Sequence, residues 1–238
     1  MIHTLFAITA TVLSTILFSF LAIFCSLVDR SGISPHRVAG IWGRSILFVS
    51  RVKVSVKNLS NIDPDRSYIY MSNHQSNFDI PVLLAYLPVQ FRWLAKAELF
   101  NIPIFGYAMK RAGYISIDRS NRRSAIESLK KAAETIRSGV SVIIFPEGTR
   151  SRDGNIRQFK KGGFILAVDA GVPVVPVIIH GTWPIMQKES LRIRPGNVVL
   201  EIGEPIQASN YSRKNKDDLM ERVQQAICDA FEKGKDIQ

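Results

Sequence analysis

Cysteine is nearly absent from this chain: Cys25 and Cys228 are the only two in 238 residues. One falls in an apolar N-terminal run and the other in a helix-like C-terminal stretch. Their spacing fits neither a disulfide framework nor a thiolate metal site, and a reducing compartment is expected. Histidine is also scarce, and no two of His3, His36, His74 and His180 stand at a metal-ligand spacing, so no metal is implied. The G-x-S-x-G elbow that presents a serine nucleophile occurs nowhere. Internal repeats and low-complexity tracts are missing too, and Gly and Pro are scattered, which excludes a disordered or linker-rich chain. Aromatic residues are missing where a nucleic-acid binder needs them. Residues 118–161, rich in cations, hold only Phe145 and Phe159, whereas such a binder interleaves aromatics with its basic residues.

The cations themselves are unevenly spread. Of a formal net charge of +11, residues 110–161 carry 13 Lys/Arg against 5 Asp/Glu, and the rest of the chain 18 against 15. So basic a zone suits an anionic partner: a phosphate ester, an anionic lipid head group or, by charge alone, a nucleic acid. A solvated basic face explains the charge density alone equally well. Residues 5–28, LFAITATVLSTILFSFLAIFCSLV, contain no charge at all, and a bilayer crossing needs roughly 20 such residues. Membrane attachment is expected. A cleaved signal peptide fits less well, because no Lys or Arg precedes the run and its length exceeds the usual apolar core of roughly 7–15 residues. Arg30, Arg37 and Arg44 follow it, which puts the C-terminal side in the cytoplasm. The Ser and Thr residues that dilute the run also fit a shallow, interfacial helix.

Beyond this anchor the pattern alternates between strands and helices. A second amphipathic helix is expected over 36–50, followed by a period-two strand, VKVSVKN. Strands SYIYM (67–71), FRWLA (91–95), YISI (114–117) and the continuous apolar runs VSVIIF (140–145) and VPVVPVII (172–179) follow, the last two as expected for strands buried on both faces. Helices are expected over 78–86, 121–139 and 163–170, and over about 215–233 with Leu219, Val223, Ile227 and Phe231 along one side. The segment IPIFGYAMKRAG reads as a short helix or a membrane-facing loop, and NVVLEIG (197–203) as an edge strand. This is an α/β chain: a largely parallel central sheet flanked by helices, with an N-terminal membrane-associating helical segment. Residues 1–50 are assigned to anchoring helices and 51–238 to the main domain.

In such sheets ligands sit at the carboxyl ends of the strands, and two unusual stretches fall there. In NHQSNFD (73–79), Asn77 is placed to cap the helix, with Asp79 in its first turn near the positive end of the dipole. Folding back over five residues lets Asp79 hold one ring nitrogen of His74 and leave the other as a base. No nucleophile accompanies the pair. Ser76 sits in a tight polar loop without the elbow, and a capped turn around a satisfied histidine explains the stretch alone. In FPEGTRS (145–151), Pro146 ends a buried strand, Gly148 supplies a turn, and Arg150 arrives at the sheet edge with the geometry for a phosphate. Glu147 reads as an orienting ion-pair partner beside Arg150. The plain alternative is an ordinary turn with a surface Arg.

Together these stretches resemble the glycerophospholipid acyltransferases, and most closely the 1-acyl-sn-glycerol-3-phosphate (lysophosphatidic acid) acyltransferases. NHQSNFD is similar to the family's first motif, N-H-x-S-x-x-D. KAELFNIPIFGYAMKRAGYISIDR (96–119) is similar to the second, FPEGTRS to the third and VPVVPVII to the fourth. The resemblance covers about residues 50–205. It implies acyl transfer from acyl-CoA or acyl-acyl carrier protein to a lysophospholipid hydroxyl, with no cofactor beyond the donor and no nucleic acid. His74 would be the general base and Asp79 its orienting partner. Arg150 and Arg119 would grip the acceptor's phosphate. Lys96 would help stabilise the oxyanion, and Glu147, Gly148 and Thr149 carry over as site residues. The catalytic domain would face the cytoplasm from an inner membrane. Other acceptors (glycerol 3-phosphate, a lyso-ornithine lipid, another lysophospholipid) stay open. A non-catalytic protein that binds anionic lipid would have no need of His74 and Asp79 together.

Overall fold

A computed structural model describes residues 1–118 and 122–235. Two helices lead: α1 (Ile2–Val28) and α2 (Ile33–Val49). Then follow β1 (Val52–Lys57), β2 (Ile69–Ser72), α3 (Asp79–Tyr86), β3 (Phe91–Lys96), α4 (Phe105–Arg111) and β4 (Ile115–Ile117). The chain continues with α5 (Arg122–Arg137), β5 (Ser141–Ile144), α6 (Gly162–Ala170), β6 (Val174–His180), β7 (Gly196–Ile202) and α7 (Lys216–Lys235). The seven strands form one sheet in the order β1-β7-β6-β2-β5-β3-β4. Every pairing is parallel except β6 with β7. The start of the helix expected at 121 lies outside the described residues, as does Arg119.

Side chains alternate across the sheet and pack into two layers. Tyr70, Ile143 and Val175 join α2 and α3 on one side. Ile69, Met71, Val142 and Ile144 join α5, α6 and α7 on the other. The central strands are therefore buried on both faces, which is why their sequences run apolar without a break. On α7 the stripe Leu219, Val223, Ile227 and Phe231 is buried; each such side chain contributes roughly 1.5–3 kcal/mol.

Two expectations are corrected. β7 is not an edge strand: β1 lies outside it and β6 inside it. Nor does Asn77 cap α3. Asn77 is exposed, and Asp79 turns back on the chain, its Oδ2 accepting the backbone N–H groups of Gln75 (2.7 Å) and Ser76 (2.8 Å). Phe78 N–H goes to Ser76 Oγ instead (3.2 Å). The Asp79 N–H, which an Asn77 cap would have taken, goes to the Ser76 carbonyl (3.4 Å), and the carboxylate gathers the donors upstream of the helix in charge-assisted bonds.

Helix α1 is fastened to the domain along its length. Thr4 Oγ1 donates to the Ile193 carbonyl (3.2 Å) and accepts from the Ile193 N–H (3.3 Å). Trp42 Nε1 on α2 donates to Thr15 Oγ1 (3.1 Å). Arg111 on α4 donates to Ser26 Oγ (2.8 Å) and to the Ser26 carbonyl (2.7 Å). These three hydroxyl residues recur every 11 positions, about three turns at roughly 3.6 residues each, so one face docks. The opposite face leaves Leu13, Leu17, Phe20, Phe24 and Leu27 exposed. Two of the hydroxyl residues that dilute the apolar run, Thr15 and Ser26, thus belong to the docking stripe.

Candidate active site

Four adjacent strands, β6, β2, β5 and β3, end on the same side of the sheet, and each leads into part of one site. β2 ends at Ser72, and Asn73 extends its pairing with a side chain: Nδ2 donates to the Ile179 carbonyl (2.9 Å) while Oδ1 accepts Ile179 N–H (2.8 Å). That amide fixes where the next residue starts. His74 Nδ1 meets Asp79 Oδ2 at 2.8 Å. A carboxylate only accepts, so Nδ1 carries the proton and Nε2 keeps a lone pair for whatever occupies the cavity. The imidazole lies flat on Phe145, with centroids 3.8 Å apart and planes 8° from parallel.

Asp79 is fully buried. Besides the three donors at Oδ2, its Oδ1 accepts from Thr182 Oγ1 (2.5 Å), so four hydrogen bonds offset the cost of burying the charge. Thr182 follows β6 and is 103 residues from Asp79. No local pattern marks it, and only its place just past a strand predicted to end near the site hints at a role. Ser76 is removed from nucleophilic duty. It is fully buried, and its hydroxyl donates to the Met186 carbonyl (2.7 Å).

The FPEGTRS segment encloses His74 rather than merely standing beside it. Glu147 Oε1 accepts the His74 N–H (2.7 Å) and Oε2 accepts the Arg157 N–H (2.9 Å), while the Ser151 N–H donates to the His74 carbonyl (2.8 Å). Both backbone polar groups of His74 are thereby held by one loop. Glu147 is 2% exposed and is not part of the cavity wall, so its expected place as a substrate ligand and as the ion-pair partner of Arg150 gives way to a clamp of backbone amides. Burial pushes its carboxyl up to about 7, against the two N–H donors, which favour the charged form. Gly148 adopts φ +73°, a left-handed turn open to glycine at little cost, and so brings Thr149 and Arg150 round to the cavity.

That cavity has a volume of about 480 Å³. At one end it is polar, with His74, Lys96, Gly148, Thr149, Arg150 and Lys188. The remainder is mostly apolar, walled by Phe18 and Ala22 of α1, Trp42 of α2, Leu84 of α3, Trp93 of β3, and Phe105 and Met109 of α4, with Thr15, Ser19, Asn77 and Tyr114 between them. Of the residues expected at the site, His74, Asp79, Lys96, Gly148, Thr149 and Arg150 are thus brought to it. Lys188 was not expected, since it lies in a loop with no motif. His180 also ends β6 but points to the other face: Nε2 meets Glu201 (3.3 Å) and the ring stacks on Phe231. Burial lowers its pKa and favours the neutral ring.

An imidazole held by a buried carboxylate thus faces a chamber that is largely apolar and carries three cationic side chains, Lys96, Arg150 and Lys188. Comparison with known proteins specifies the family. The acyltransferase family model matches residues 53–180, and the chain belongs to that family. It is 41% identical to the chloroplastic 1-acyl-sn-glycerol-3-phosphate acyltransferase of Arabidopsis thaliana over 73% of its own length and 49% of that protein's. The human 1-acyl-sn-glycerol-3-phosphate acyltransferase alpha is 31% identical over 78% of this chain and 66% of the relative. The chain spans about half the length of the Arabidopsis relative. A crystal structure of PlsC, the 1-acyl-sn-glycerophosphate acyltransferase of Thermotoga maritima, superposes with a TM-score of 0.85 at 29% identity, covering 98% of this chain and 95% of that one.

Proposed function

We propose that the protein transfers a fatty acyl group from a thioester donor, acyl-CoA or acyl-acyl carrier protein, to the free sn-2 hydroxyl of 1-acyl-sn-glycerol 3-phosphate, giving phosphatidic acid. The observation that carries this reading is the His74–Asp79 pair opening on a cavity whose polar end is cationic and whose remainder is apolar. Nε2 of His74 takes the hydroxyl proton as the oxygen attacks the thioester carbonyl, and the imidazolium is stabilised by Asp79. The tetrahedral intermediate then collapses, the C–S bond breaks, and the proton passes from Nε2 to the leaving thiolate. Lys96, on the rim beside β3, is positioned to offset charge on the oxyanion. Arg150 binds the acceptor's phosphate, and the apolar chamber takes hydrocarbon chain. The names of the relatives support this acceptor. The assay is acyl transfer by purified protein to a panel of lyso-acceptors, each with both donors; failure to acylate lysophosphatidic acid with either donor refutes the reading.

Replacing Arg150 by Ala raises the acceptor KM by about tenfold or more and leaves the donor KM within about twofold, the signature of a group that binds one substrate only. Equal changes in both constants would remove Arg150 from the phosphate site.

The way α1 is fastened supports an interfacial anchor rather than a span. Its 27 residues cover about 40 Å at roughly 1.5 Å each, long enough to cross a bilayer. Yet Thr4 and Ser26 tie both ends to the same domain, and Thr15 ties the middle to α2. Crossing would carry the polar parts of that domain into hydrocarbon. In sealed vesicles, single cysteines at Ile2→Cys and Arg30→Cys, in a chain lacking Cys25 and Cys228, are therefore expected to react with an impermeant maleimide from the same side. Reaction from opposite sides would establish a span.

A further inference from the structure

We propose that Lys188 is a phosphate ligand of the acceptor, acting alongside Arg150, and that it sets the preference for a phosphate monoester head group. This rests on the functional reading above and names a residue that none of its motifs contains. Lys188 lines the polar end of the cavity together with His74, Thr149 and Arg150. Its Nζ reaches Thr149 Oγ1 at 3.2 Å, a neutral partner that leaves the ammonium charge uncompensated. Among the described residues neither Lys188 nor Arg150 is in an ion pair. Two half-buried cations that line one cavity, one of them bonded to the residue next to the other, favour an anion between them, and a dianionic monoester answers both.

The backbone is arranged to keep that charge free. Glu189, next in sequence, adopts φ +68°, a left-handed conformation that is strained for a non-glycine residue and is concentrated at functional sites. The turn sends its carboxylate outward to Arg152 (3.1 Å) and away from Lys188. The loop is held at both ends. Ser76 Oγ donates to the Met186 carbonyl on one side, and the two Thr4–Ile193 bonds join the other to the start of α1. The head-group cation is thus positioned between the His74 loop and the membrane helix.

The test compares wild type, Lys188→Ala and Lys188→Arg with lysophosphatidic acid and with lysophosphatidylcholine, a phosphodiester, as acceptors. Lys188→Ala is expected to raise the KM for lysophosphatidic acid about tenfold, to leave the donor KM within about twofold, and to narrow the preference for the monoester over the diester. Lys188→Arg is expected to restore most of that KM. If Lys188→Ala leaves the acceptor KM and the preference unchanged while the wild type acylates lysophosphatidic acid, the proposal falls and the functional reading stands. If the wild type acylates neither acceptor, the functional reading falls. The anion site is then judged by glycerol 3-phosphate titrated calorimetrically into wild type and Lys188→Ala, and equal affinity overturns it.

Discussion

Replacing His74 by Ala lowers acyl transfer by about 10²–10⁴-fold, the usual contribution of a positioned general base, without unfolding the protein. The fold tolerates the change because Asp79 keeps three of its four donors: the N–H groups of Gln75 and Ser76 and the Thr182 hydroxyl. What is lost is the stacking on Phe145 and the base itself. Asp79→Asn makes the complementary cut. Its amide oxygen can hold the three donors at Oδ2, while its NH2 group turns to Thr182 Oγ1, which accepts as readily as it donates. The loop stays, the negative charge goes, and the imidazolium is no longer stabilised. A fall of a similar order is expected, with unchanged circular dichroism. Asp79→Ala, by contrast, strands four donors in the interior and is expected to destabilise the whole loop. If His74→Ala keeps more than about a tenth of wild-type turnover at an unchanged melting temperature, some other group is the base.

The second large effect comes from Glu147, which stands behind the cavity wall and holds two backbone N–H groups. Glu147→Gln keeps one oxygen for two buried N–H donors and points an NH2 at the other, leaving one donor unpaired at a cost of about 1–3 kcal/mol. Because Oε1 holds the His74 N–H, the base shifts as well, and a displacement near 1 Å lowers turnover on the order of 100-fold. The stability loss depends on pH. Burial raises the Glu147 carboxyl from 4.5 to about 7, so the folded state binds this proton more tightly than the unfolded chain. The corresponding stability is fully present below about pH 4.5 and is lost as the pH rises through about 7; at roughly 1.4 kcal/mol per pKa unit it amounts to about 3 kcal/mol. A protonated carboxyl still offers two oxygens, which glutamine does not. The gap between wild type and Glu147→Gln is therefore wider at pH 5.5 than at pH 8. Urea midpoints in detergent at the two pH values measure it. A gap constant across that range would mean that Glu147 does not titrate there, and no gap at all would mean that it is not a clamp.

The residues that were legible from the sequence are those whose partners lie close along the chain. His74 and Asp79 are five positions apart, within reach of a single turn, and strand and helix periods recur over similar distances. β7 shows where such reasoning stops. An edge position is expected for it, but its half-buried pattern reports only that one face is less buried. It says nothing about whether both edges are paired, and β1, far away in the sequence, covers the outer one. The capping assignment failed for a related reason. Asn77 and Asp79 are both competent acceptors by residue type, and only the folded loop reveals that the backbone donors converge on the carboxylate.

By itself, then, the sequence determined the α/β alternation, the long apolar N-terminal helix, the pairing of His74 with Asp79 and the turn that carries Arg150, because each rests on periodicity or reach within a few residues. The tertiary structure alone decided that Glu147 is a clamp, that Thr182 completes the shell of Asp79, that Lys188 faces the cavity and that the hydroxyls of α1 form a docking stripe. Those contacts join residues tens to nearly two hundred positions apart. They follow from which strand lies beside which, a matter of global packing that no local pattern carries.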